Sequence, residues 1–355
     1  MSSLTAPLLK WYDTEKISMP WRGDPDPYHI WLSEVMLQQT QIETVIPYYY
    51  RWLENLPSIE TTANASEDFI LKLWEGLGYY ARARNFHDAC KTLVSNGDYQ
   101  VPNTLAEFKQ LKGVGDYIGA AVQSIAFNHP IPVIDSNVKR LLSRVLELNG
   151  LPDQFKGKMQ SYLLSQISDI RPGDFNQAMM DLARLICKPR NPNCPICPVN
   201  QYCGAYANNT VNDYPIKKIK KPKPHYDIAV GVIWKGNNLL ISKRKSAGLL
   251  GGLWEFPGGK IQHNESSEDC VIREIKEELN ITVAVVEYIS TIQHAYTHFS
   301  ITMTGYHCRY LDGEPKAIGC ADWKWLNAKD LDTLPFPKAN HKLFENIPGL
   351  NPFND

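Results

Sequence analysis

The sequence contains no hydrophobic run long enough to cross a membrane and no excess of charge of either sign. Its longest apolar stretches, such as IAVGVIW, have the length of a β-strand, whereas a membrane span needs about 20 apolar residues. The formal net charge of −1 excludes a strong global field that would attract nucleic acid or a membrane surface. The first residues, MSSLTAPLLKWYD, lack a basic start followed by an apolar stretch. We therefore predict no secretory signal and no membrane partner, and we expect a cytoplasmic location.

The pattern of apolar residues divides the chain into two halves of different structure. Up to residue 208, segments such as NVKRLLSRVLEL carry apolar residues three and four apart, which predicts helices. From residue 226 the segments DIAVGVIW, NLLISKR and ITMTGYHCRY indicate strands, with one helix from about Ser266 to Leu279. Residues 209–225 between them are rich in lysine and proline. We predict an all-α domain over residues 1–208, a linker over 209–225 and an α/β domain over 226–355.

Four of the eight cysteines lie close together in one loop, residues 187–203, separated by six, two and five residues. Structural zinc sites use two close pairs separated by a longer loop, so this single compact loop favours a 4Fe–4S cluster. Zinc, or four thiols without a ligand, are the alternatives. The predicted cluster ligands are Cys187, Cys194, Cys197 and Cys203. The remaining cysteines are expected to be small buried apolar residues: Cys90, Cys270, Cys308 and Cys320.

A pair of glycines marks a candidate anion-binding turn in LKGVGDYIGAAV, residues 111–122. Gly113, Val114 and Gly115 stand immediately before a helical run, where backbone N–H groups and the helix N-terminus can hold a phosphate. Twenty residues after Gly115, Asp135 opens the next helical segment, VIDSNVKR. Plainer roles stay open for both features: an ordinary turn between helices for the glycines, and an N-cap for Asp135.

These motifs together, LKGVGDYIGAA, VIDSNVKR and the cysteine loop, resemble the helix–hairpin–helix superfamily of DNA glycosylases. The N-terminal segment MPWRGDPDPYHIWLSEVMLQQTQIETV closely resembles the adenine-specific branch of the MutY type. The resemblance implies an enzyme that flips adenine out of duplex DNA and breaks its glycosidic bond. It also implies that Glu34 is the catalytic acid and that Asp135 stabilises the cation formed on the sugar.

The residues around Glu34 are consistent with a proton donor. Glu34 lies three residues from both Trp31 and Leu37 on a predicted helix, and apolar surroundings raise the pKa of a carboxyl group. A surface glutamate on an amphipathic helix is the alternative. Endonuclease III-like members of the superfamily carry a nucleophilic lysine where this chain has Tyr117, so we expect no Schiff base and no strand cleavage. A glycosylase that also cleaves the strand is the nearest alternative. The resemblance further implies that Tyr117 and Asn137 orient the two carboxyl groups.

The same resemblance identifies residues that contact DNA. It implies that Gln39 inserts into the emptied base stack and that Tyr79 forms a wedge next to the opposing base. It also implies an adenine pocket made by three further residues: Trp21, Arg22 and Gln177. Such residue types are common in ordinary protein cores and surfaces, so a structural role is the alternative for each.

For the C-terminal half, the resemblance implies a Nudix-like fold that recognises 8-oxoguanine opposite the adenine. The recognition loop corresponds to HAYTHFS, where Tyr296, Thr297 and His298 occupy the aromatic, hydroxyl and histidine positions. The family pattern is Phe-Ser-His, so the first two residues depart from it, although Thr297 retains a hydroxyl group. The implied partner is double-stranded DNA with an A:8-oxoguanine or A:G mispair, which places the protein at the nucleoid, and we expect a monomer. A protein that binds mispairs without releasing adenine is the remaining alternative.

The segment GGKIQHNESSEDCVIREIKEELN carries the acidic pattern of Nudix pyrophosphohydrolases. Gly259, Glu265 and Arg273 stand at the spacings of that pattern, together with three carboxylates on one helix face: Glu274, Glu277 and Glu278. Carboxylate oxygens are ligands for Mg²⁺, so a Mg²⁺ site that hydrolyses 8-oxo-dGTP is an alternative second activity. A solvated acidic face neutralised by Arg273 and Lys276 is the plainer interpretation. Asn280 replaces a glycine of the pattern, and we expect it to form the left-handed end of the helix.

Overall fold

The computed structural model describes residues 3–218, 222–347 and 352, and the chain divides into two compact units. Unit 1 comprises Met1–Ala63 and Asp88–Lys220, and unit 2 comprises Asn64–His87 and Lys221–Asp355. The domain boundaries given above remain a prediction. Residues 219–221 of the predicted linker lie outside the described residues. None of the helices in the described part of the chain is both long and apolar enough to cross a membrane.

The N-terminal half is helical, as the spacing of its apolar residues predicts. Short 3₁₀ helices cover Pro152–Phe155, Cys194–Ile196 and Asn200–Tyr202. The α-helices are α1 (Thr5–Glu15), α2 (Pro27–Leu37), α3 (Ile42–Asn55), α4 (Ile59–Asn64), α5 (Glu67–Leu73), α6 (Ala81–Ser95), α7 (Leu105–Phe108), α8 (Asp116–Phe127), α9 (Ser136–Val145), α10 (Lys156–Leu164), α11 (Pro172–Leu185) and α12 (Gly204–Ala207).

Two local features fix the helices that matter most for the site. Helix α2 begins where the Asp26 carboxylate accepts a hydrogen bond of 2.8 Å from the backbone N–H of Tyr28, with Pro27 at the first helical position. Helices α1, α9 and α11 bury one apolar cluster that includes Leu8, Leu142, Phe175 and Leu182. This core holds α9 and α11 side by side, so residues at the start of α9 and along α11 can reach one cavity.

Unit 2 contains a mixed sheet of seven strands, which confirms the predicted α/β class. The strands are β1 (His225–Lys235), β2 (Asn238–Lys243), β3 (Trp254–Glu255), β4 (Gly258–Lys260), β5 (Thr282–Ala295), β6 (Ser300–Asp312) and β7 (Asp322–Asn327). Their order is β3-β2-β1-β6-β5, with β4 paired to β1 and β7 paired to β2. The β1–β6 pair is parallel, with Val232 opposite His307, and the other pairs are antiparallel.

Both faces of this sheet are covered. Helix α13 (Ser267–Leu279) buries Val271 and Ile275 in the cluster on one face, and helix α14 (Lys338–Phe344) buries Leu343 in the cluster on the other. Coverage on both sides explains why the middle of β1 is a continuous buried run instead of alternating. A short 3₁₀ helix covers Ala328–Thr333. Asn280 ends α13 at φ 57°, which confirms the predicted left-handed C-cap.

Candidate active site

Helix α2 carries Glu34 into the protein interior. Glu34 is only 4% exposed. Almost all the other buried residues of this helix are apolar. The pKa of Glu34 is raised to about 7, chiefly by burial and also by the negative charge of Asp135, whereas Tyr117 and Arg22 act in the opposite direction. The raised pKa predicted from the apolar neighbours is confirmed. A carboxyl group with this pKa is substantially protonated near neutral pH and can act as an acid.

Tyr117, the second residue of α8, touches Glu34 directly. Its hydroxyl group donates a hydrogen bond of 2.6 Å to Oε2 of Glu34 and lies 3.9 Å from the sulfur of Met180. Burial and the adjacent Glu34 carboxylate raise the pKa of Tyr117 well above its usual value. Tyr117 therefore stays a neutral phenol and a hydrogen-bond donor, and it stabilises the ionised form of Glu34.

Asp135 is both the N-cap of α9 and a residue of the candidate site. As the N-cap of α9, it accepts a 2.6 Å hydrogen bond at Oδ1 from the backbone N–H of Val138. Its second oxygen accepts a 3.0 Å hydrogen bond from Nδ2 of Asn137, and Arg140 holds the other end of that amide at 3.1 Å. Burial raises the pKa of Asp135, although these hydrogen bonds and Arg140 act in the opposite direction. The cap therefore fixes the direction of the carboxylate.

The two carboxyl groups line one cavity of about 450 Å³ in unit 1. The structure thus brings together every residue predicted for catalysis, for support of catalysis or for the adenine pocket, while the individual roles stay predictions. The predicted residues that line the cavity are Trp21, Arg22, Glu34, Tyr117, Asp135, Asn137 and Gln177.

Arg22 is held at the cavity wall by an ion pair that the sequence analysis missed. One of its terminal nitrogens lies 2.7 Å from Oδ2 of Asp181 and donates a 2.9 Å hydrogen bond to the carbonyl of Ile17. Asp181 and Arg184, both on the cavity wall, follow Gln177 by four and seven residues on α11. That helical spacing from Gln177 is the signal that would have found them.

The glycine turn has its required left-handed residue at Gly113, where φ is +84°. Gly115 has φ −88° and is the N-cap of α8, with open space around the position of a Cβ, so only Gly113 needs to be glycine for its conformation. Val114 between them is buried. The turn therefore presents the N-terminus of α8 next to Asp116, the first residue of that helix.

Asp116 is paired with two lysines, which the sequence analysis also missed. Its two oxygens lie 2.7 Å from Nζ of Lys109 and 2.5 Å from Nζ of Lys156. Hydrogen bonds from these lysines lower the pKa of Asp116 to about 2. The three residues line a second cavity of about 500 Å³ in unit 1, which Tyr117 and Lys139 also border. Three lysines and two aspartates therefore line this cavity, beside the start of the helix that follows the glycine turn.

The four predicted cluster cysteines line one cavity in unit 1, where all four are free and partly buried. The buried Arg144 donates a hydrogen bond of 3.1 Å to Sγ of Cys187, and another of 2.8 Å to the carbonyl of Lys188. Arg140 donates to the carbonyl of Cys187 at 2.9 Å. Cations at this position stabilise thiolates, which are the form that binds iron.

The donor set, four cysteine sulfurs that line one cavity with no histidine among its described lining residues, fits an iron–sulfur cluster. Within the described residues, no three His, Cys, Asp or Glu side chains are arranged around one metal ion, and this includes the cysteine loop. Zinc needs all four sulfurs close to one point. A 4Fe–4S cluster takes one thiolate at each iron and therefore accepts a wider spacing.

The comparisons with known proteins agree with both parts of this geometry. The chain matches the family model of the HhH-GPD superfamily base excision DNA repair protein over residues 32–163, and that of the iron–sulfur binding domain of endonuclease III over residues 187–203. The adenine DNA glycosylase of Mus musculus is 31% identical, over 95% of this chain and 76% of that protein. The adenine DNA glycosylase of Buchnera aphidicola subsp. Acyrthosiphon pisum is 30% identical, over 96% of both chains.

The chain belongs to the adenine DNA glycosylase family. It is a DNA glycosylase of base excision repair with an endonuclease III-type 4Fe–4S binding domain. Its C-terminal part matches the family model of the NUDIX domain over residues 229–346. Among solved structures, a thermostable thymine-DNA glycosylase superposes with a TM-score of 0.53 at 24% identity, over 57% of this chain and 95% of that one. This last similarity supports the fold of the helical part.

Two residues predicted to enter DNA stand at positive φ in this adenine DNA glycosylase. Gln39 is exposed at φ 59°, directly after α2, and Tyr79 has φ 47° in the turn between α5 and α6. Glutamine and tyrosine adopt this left-handed region at a cost, and such strain is concentrated at functional sites. The backbone therefore supports a functional reason for both positions, while their insertion into DNA stays a prediction.

The predicted lesion-recognition residues do not share one orientation. Tyr296 is half-buried: its ring stacks on Phe299 with centroids 4.6 Å apart and packs against the core on one face of the sheet. Burial raises the pKa of Tyr296 to about 12. Thr297 and His298 are exposed. In this loop Tyr296 acts as the anchor, and the next two side chains are the ones presented to solvent.

The acidic pattern of the Nudix part is held together by Arg273. This guanidinium group forms two hydrogen bonds with Glu265, of 2.6 and 2.9 Å, and contacts Glu274 at 2.8 Å and Glu277 at 3.3 Å. A Cβ at Gly259 would lie 2.2 Å from the carboxyl carbon of Glu274, so a side chain there would displace this carboxyl group from its present position. The plainer interpretation expected Arg273 and Lys276 to neutralise the acidic face, and the structure shows these ion pairs for Arg273.

Glu278 is the exception on that face, because it points inward. Its Oε2 atom is buried and has no hydrogen-bond partner among the described residues. The pKa of Glu278 is raised to about 7, chiefly by burial and also by the charges of Glu255 and Glu274, while Arg244 acts in the opposite direction. Arg244 itself pairs with Glu255 at 2.5 Å. Within the described residues the three predicted carboxylates form no group that could hold a metal ion, and Arg273 pairs with two of them, Glu274 and Glu277.

Proposed function

We propose that this adenine DNA glycosylase hydrolyses the N-glycosidic bond of adenine mispaired with 8-oxoguanine or guanine, and leaves an abasic site without cleaving the strand. The observation that carries the proposal is the cavity in which Glu34, with a pKa of about 7, and Asp135 face the same space beside Tyr117. Two carboxyl groups that face one cavity, one of them able to act as an acid near neutral pH, are the arrangement that glycosidic hydrolysis needs.

In the proposed reaction, Glu34 acts first as an acid. It transfers its proton to an imidazole nitrogen of the flipped adenine, so that the base leaves as a neutral molecule when the bond to the sugar breaks. Positive charge develops on the sugar, and Asp135 stabilises it because its cap geometry fixes one oxygen and Asn137 holds the other. The ionised Glu34 then accepts a proton from water, whose oxygen bonds to the anomeric carbon.

Tyr117 accounts for the proposed absence of strand cleavage. Cleavage by a Schiff base requires an amine at the sugar, and the described residues that line the cavity include no lysine. Tyr117 instead donates to Glu34 at 2.6 Å and holds its carboxyl group in one orientation. Arg22, fixed by Asp181, and Gln177 supply polar groups for the edge of the adenine, and Trp21 supplies an apolar wall.

For the opposing base, the exposed Thr297 and His298 are proposed to read 8-oxoguanine, with Tyr296 anchoring their loop. Tyr79 and Gln39 are proposed to enter the base stack, and the turn Gly113–Gly115 to hold a DNA phosphate. The 4Fe–4S cluster would be held by Cys187, Cys194, Cys197 and Cys203, and would join the ends of the loop 187–203. A DNA target would place the protein at the nucleoid as a monomer on duplex DNA.

The proposal is tested by single-turnover kinetics on duplexes that carry A:8-oxoguanine, A:G or A:T. Adenine release from the first two duplexes, with strand scission only after alkali treatment, is the expected result. Borohydride in the reaction should trap no protein–DNA adduct. A trapped adduct would show a lyase, and tight binding to the mispair with no release of adenine would leave only a binding protein.

A second candidate activity concerns the Nudix part, where we infer a Mg²⁺-dependent pyrophosphohydrolase acting on 8-oxo-dGTP. The observation that favours it is the inward-facing Glu278, which has a buried oxygen without a partner among the described residues. Mg²⁺ would stabilise the ionised form of Glu278 and satisfy that oxygen, together with Glu274 and Glu277 once Arg273 is displaced. Because the pKa of Glu278 is about 7, Mg²⁺ affinity should rise with pH through neutrality.

This second activity is tested by phosphate release from 8-oxo-dGTP in the presence of Mg²⁺ and a coupling pyrophosphatase. Glu277→Gln should abolish turnover, and Glu287→Gln, on β5, is the control that should leave it unchanged. No turnover by the wild-type protein would make the acidic helix a structural element held by Arg273.

A further inference from the structure

The segment Asn64–His87 lies within the match to the HhH-GPD superfamily, yet it packs in the same compact unit as the Nudix sheet. Several polar contacts join the two within that unit. Lys243, at the end of β2, lies 2.7 Å from Asp68. Arg84 donates to the carbonyl of Ser246 at 3.0 Å and to that of Gly251. A piece of the glycosylase sequence is thus attached to the lesion-reading half.

Glu75 makes the most extensive of these attachments. Its Oε1 atom accepts 2.8 Å hydrogen bonds from the backbone N–H of Phe336 and from Nε2 of His341, and its Oε2 atom accepts a 2.7 Å bond from Nζ of Lys72. Since a carboxylate only accepts, Nε2 of His341 must carry the proton. Lys72 also donates to the carbonyl of Leu334 at 3.3 Å. Oε1 of Glu75 is therefore tied directly to the region just before and within α14, and Oε2 is tied to it through Lys72.

The turn that follows Glu75 is stiff. The indole N–H of Trp74 donates to the carbonyl of Gly78 at 3.0 Å, and Arg82 donates to the same carbonyl at 3.1 Å and to that of Leu77 at 3.2 Å. The backbone N–H of Gly76 donates to the hydroxyl of Tyr80 at 3.2 Å. A displacement of Glu75 is therefore transmitted to residues 76–80 as a body, and with it to Tyr79.

Tyr79 meets the recognition loop at the far side of this turn. Its ring lies edge-to-face on that of His298, with centroids 5.9 Å apart, and its hydroxyl lies 3.5 Å from Nε2 of His298. Both side chains are predicted to act on the base opposite adenine. Their relative position depends on how the turn is attached to the rest of the unit, and Glu75, four residues before Tyr79, attaches it to Phe336 and to His341 on α14.

We propose that Glu75 is a positioning residue for lesion specificity: it holds the turn that bears Tyr79 against the loop that bears His298. This inference rests on the proposed reading of 8-oxoguanine by unit 2. Glu75 touches neither the reacting bond nor the adenine cavity, so its loss should alter discrimination at the opposing base and not the chemistry of adenine release.

The test compares Glu75→Ala and Glu75→Gln with Asp68→Asn, which breaks another ion pair between the same segment and the same sheet. The first readout does not depend on catalysis: hydrogen exchange of the amides in residues 76–80 in the free protein. It should accelerate in Glu75→Ala, less in Glu75→Gln because one oxygen still accepts from Phe336, and not in Asp68→Asn.

The second readout is the ratio of single-turnover rates opposite 8-oxoguanine and opposite guanine. Glu75→Ala should lower this ratio about tenfold, as expected when a charge-assisted hydrogen bond is lost. The change should come from a slower rate opposite 8-oxoguanine, with the rate opposite guanine unchanged. Glu75→Gln keeps a side chain of the same shape and folds if the alanine variant does not. Faster exchange in residues 76–80 with an unchanged ratio would overturn the role of Glu75. An equal effect of Asp68→Asn would also overturn it, by revealing general anchoring. A wild-type ratio near one would instead remove the proposed lesion reading itself.

Discussion

The hydroxyl group of Tyr117 donates a 2.6 Å hydrogen bond to the carboxyl group of Glu34. The lyase branch of the superfamily is expected to carry a nucleophilic lysine at the position of Tyr117. Tyrosine in place of lysine removes an amine and supplies a hydrogen-bond partner for Glu34. Burial raises the pKa of Glu34 and Tyr117 opposes that shift. The hydrogen bond from Tyr117 therefore helps to set the fraction of enzyme molecules in which Glu34 carries the proton that the leaving adenine needs.

Glu34→Gln should abolish adenine release and stabilise the fold at alkaline pH. The folded-state pKa of about 7 lies above the value of 4.5 expected in the unfolded chain. The native state therefore binds more protons between these values, and stability falls as pH rises through them. Removing the carboxyl group should recover at most roughly 3 kcal/mol above pH 8 and nothing near pH 4. Thermal denaturation of both proteins at the two pH values measures this; an equal difference at both would contradict it.

Tyr117→Phe should shift the pH dependence of adenine release upwards. The phenol stabilises ionised Glu34, so its removal raises the pKa of Glu34 and keeps the acid protonated to higher pH. Single-turnover rates from pH 5 to 9 on an A:8-oxoguanine duplex should therefore fall at higher pH in the variant than in the wild type. Tyr162→Phe, on α10, is the control. A downward shift would mean that Tyr117 acts chiefly on another group.

Asp135→Asn should separate the two functions of this residue. Asparagine caps helices about as well as aspartate, so the start of α9 should be retained, although the NH₂ group of asparagine would lose the hydrogen bond that Asn137 donates to Asp135. The lost negative charge should slow adenine release by roughly a hundredfold or more. Asp135→Ala should also lose about 1 kcal/mol of stability with the cap. If Asp135→Asn unfolds the protein as much as the alanine variant does, the capping argument is wrong.

Cys194→Ala should lose bound iron, whereas Cys90→Ala should retain it. Both cysteines belong to unit 1, but Cys194 lines the cavity of the cysteine loop, and Cys90 is fully buried in the apolar core. Iron and sulfide content with visible absorbance of the purified proteins provides the measurement. Full iron content in Cys194→Ala would remove this residue from the cluster ligands.

Asp116→Asn should strengthen binding to undamaged duplex DNA and steepen its salt dependence. The substitution releases Lys109 and Lys156, which lie beside the turn expected to hold a phosphate. Each lysine that then meets a phosphate makes the slope of log K against log salt more negative by about 0.9. Titrations at several salt concentrations give the slope. Asp98→Asn, at an exposed carboxyl group between α6 and α7, should leave it unchanged.

The sequence by itself determined the features that depend on local spacing. The cysteine loop could be predicted from the close spacing of its four cysteines. The apolar neighbours of Glu34 and the division into helical and strand halves could be predicted because helix and strand periodicity place nearby residues in fixed relations. The left-handed end of α13 at Asn280 is likewise a property of one residue type. Family resemblance then collected the residues that line the catalytic cavity, although their order along the chain gives no distance between them.

Only the tertiary structure decided which distant residues meet. The Arg22–Asp181 pair, the inward rotation of Tyr296 onto Phe299 and the hold of Arg273 on the acidic helix all join groups whose neighbours are chosen by packing. The same holds for the segment 64–87, which its sequence assigns to the glycosylase family and its contacts assign to the unit of the Nudix sheet. A half-buried charged side chain such as Glu75 bonds to partners far away in the chain because burial removes much of its contact with water, and no periodic pattern in the sequence predicts which partners these are.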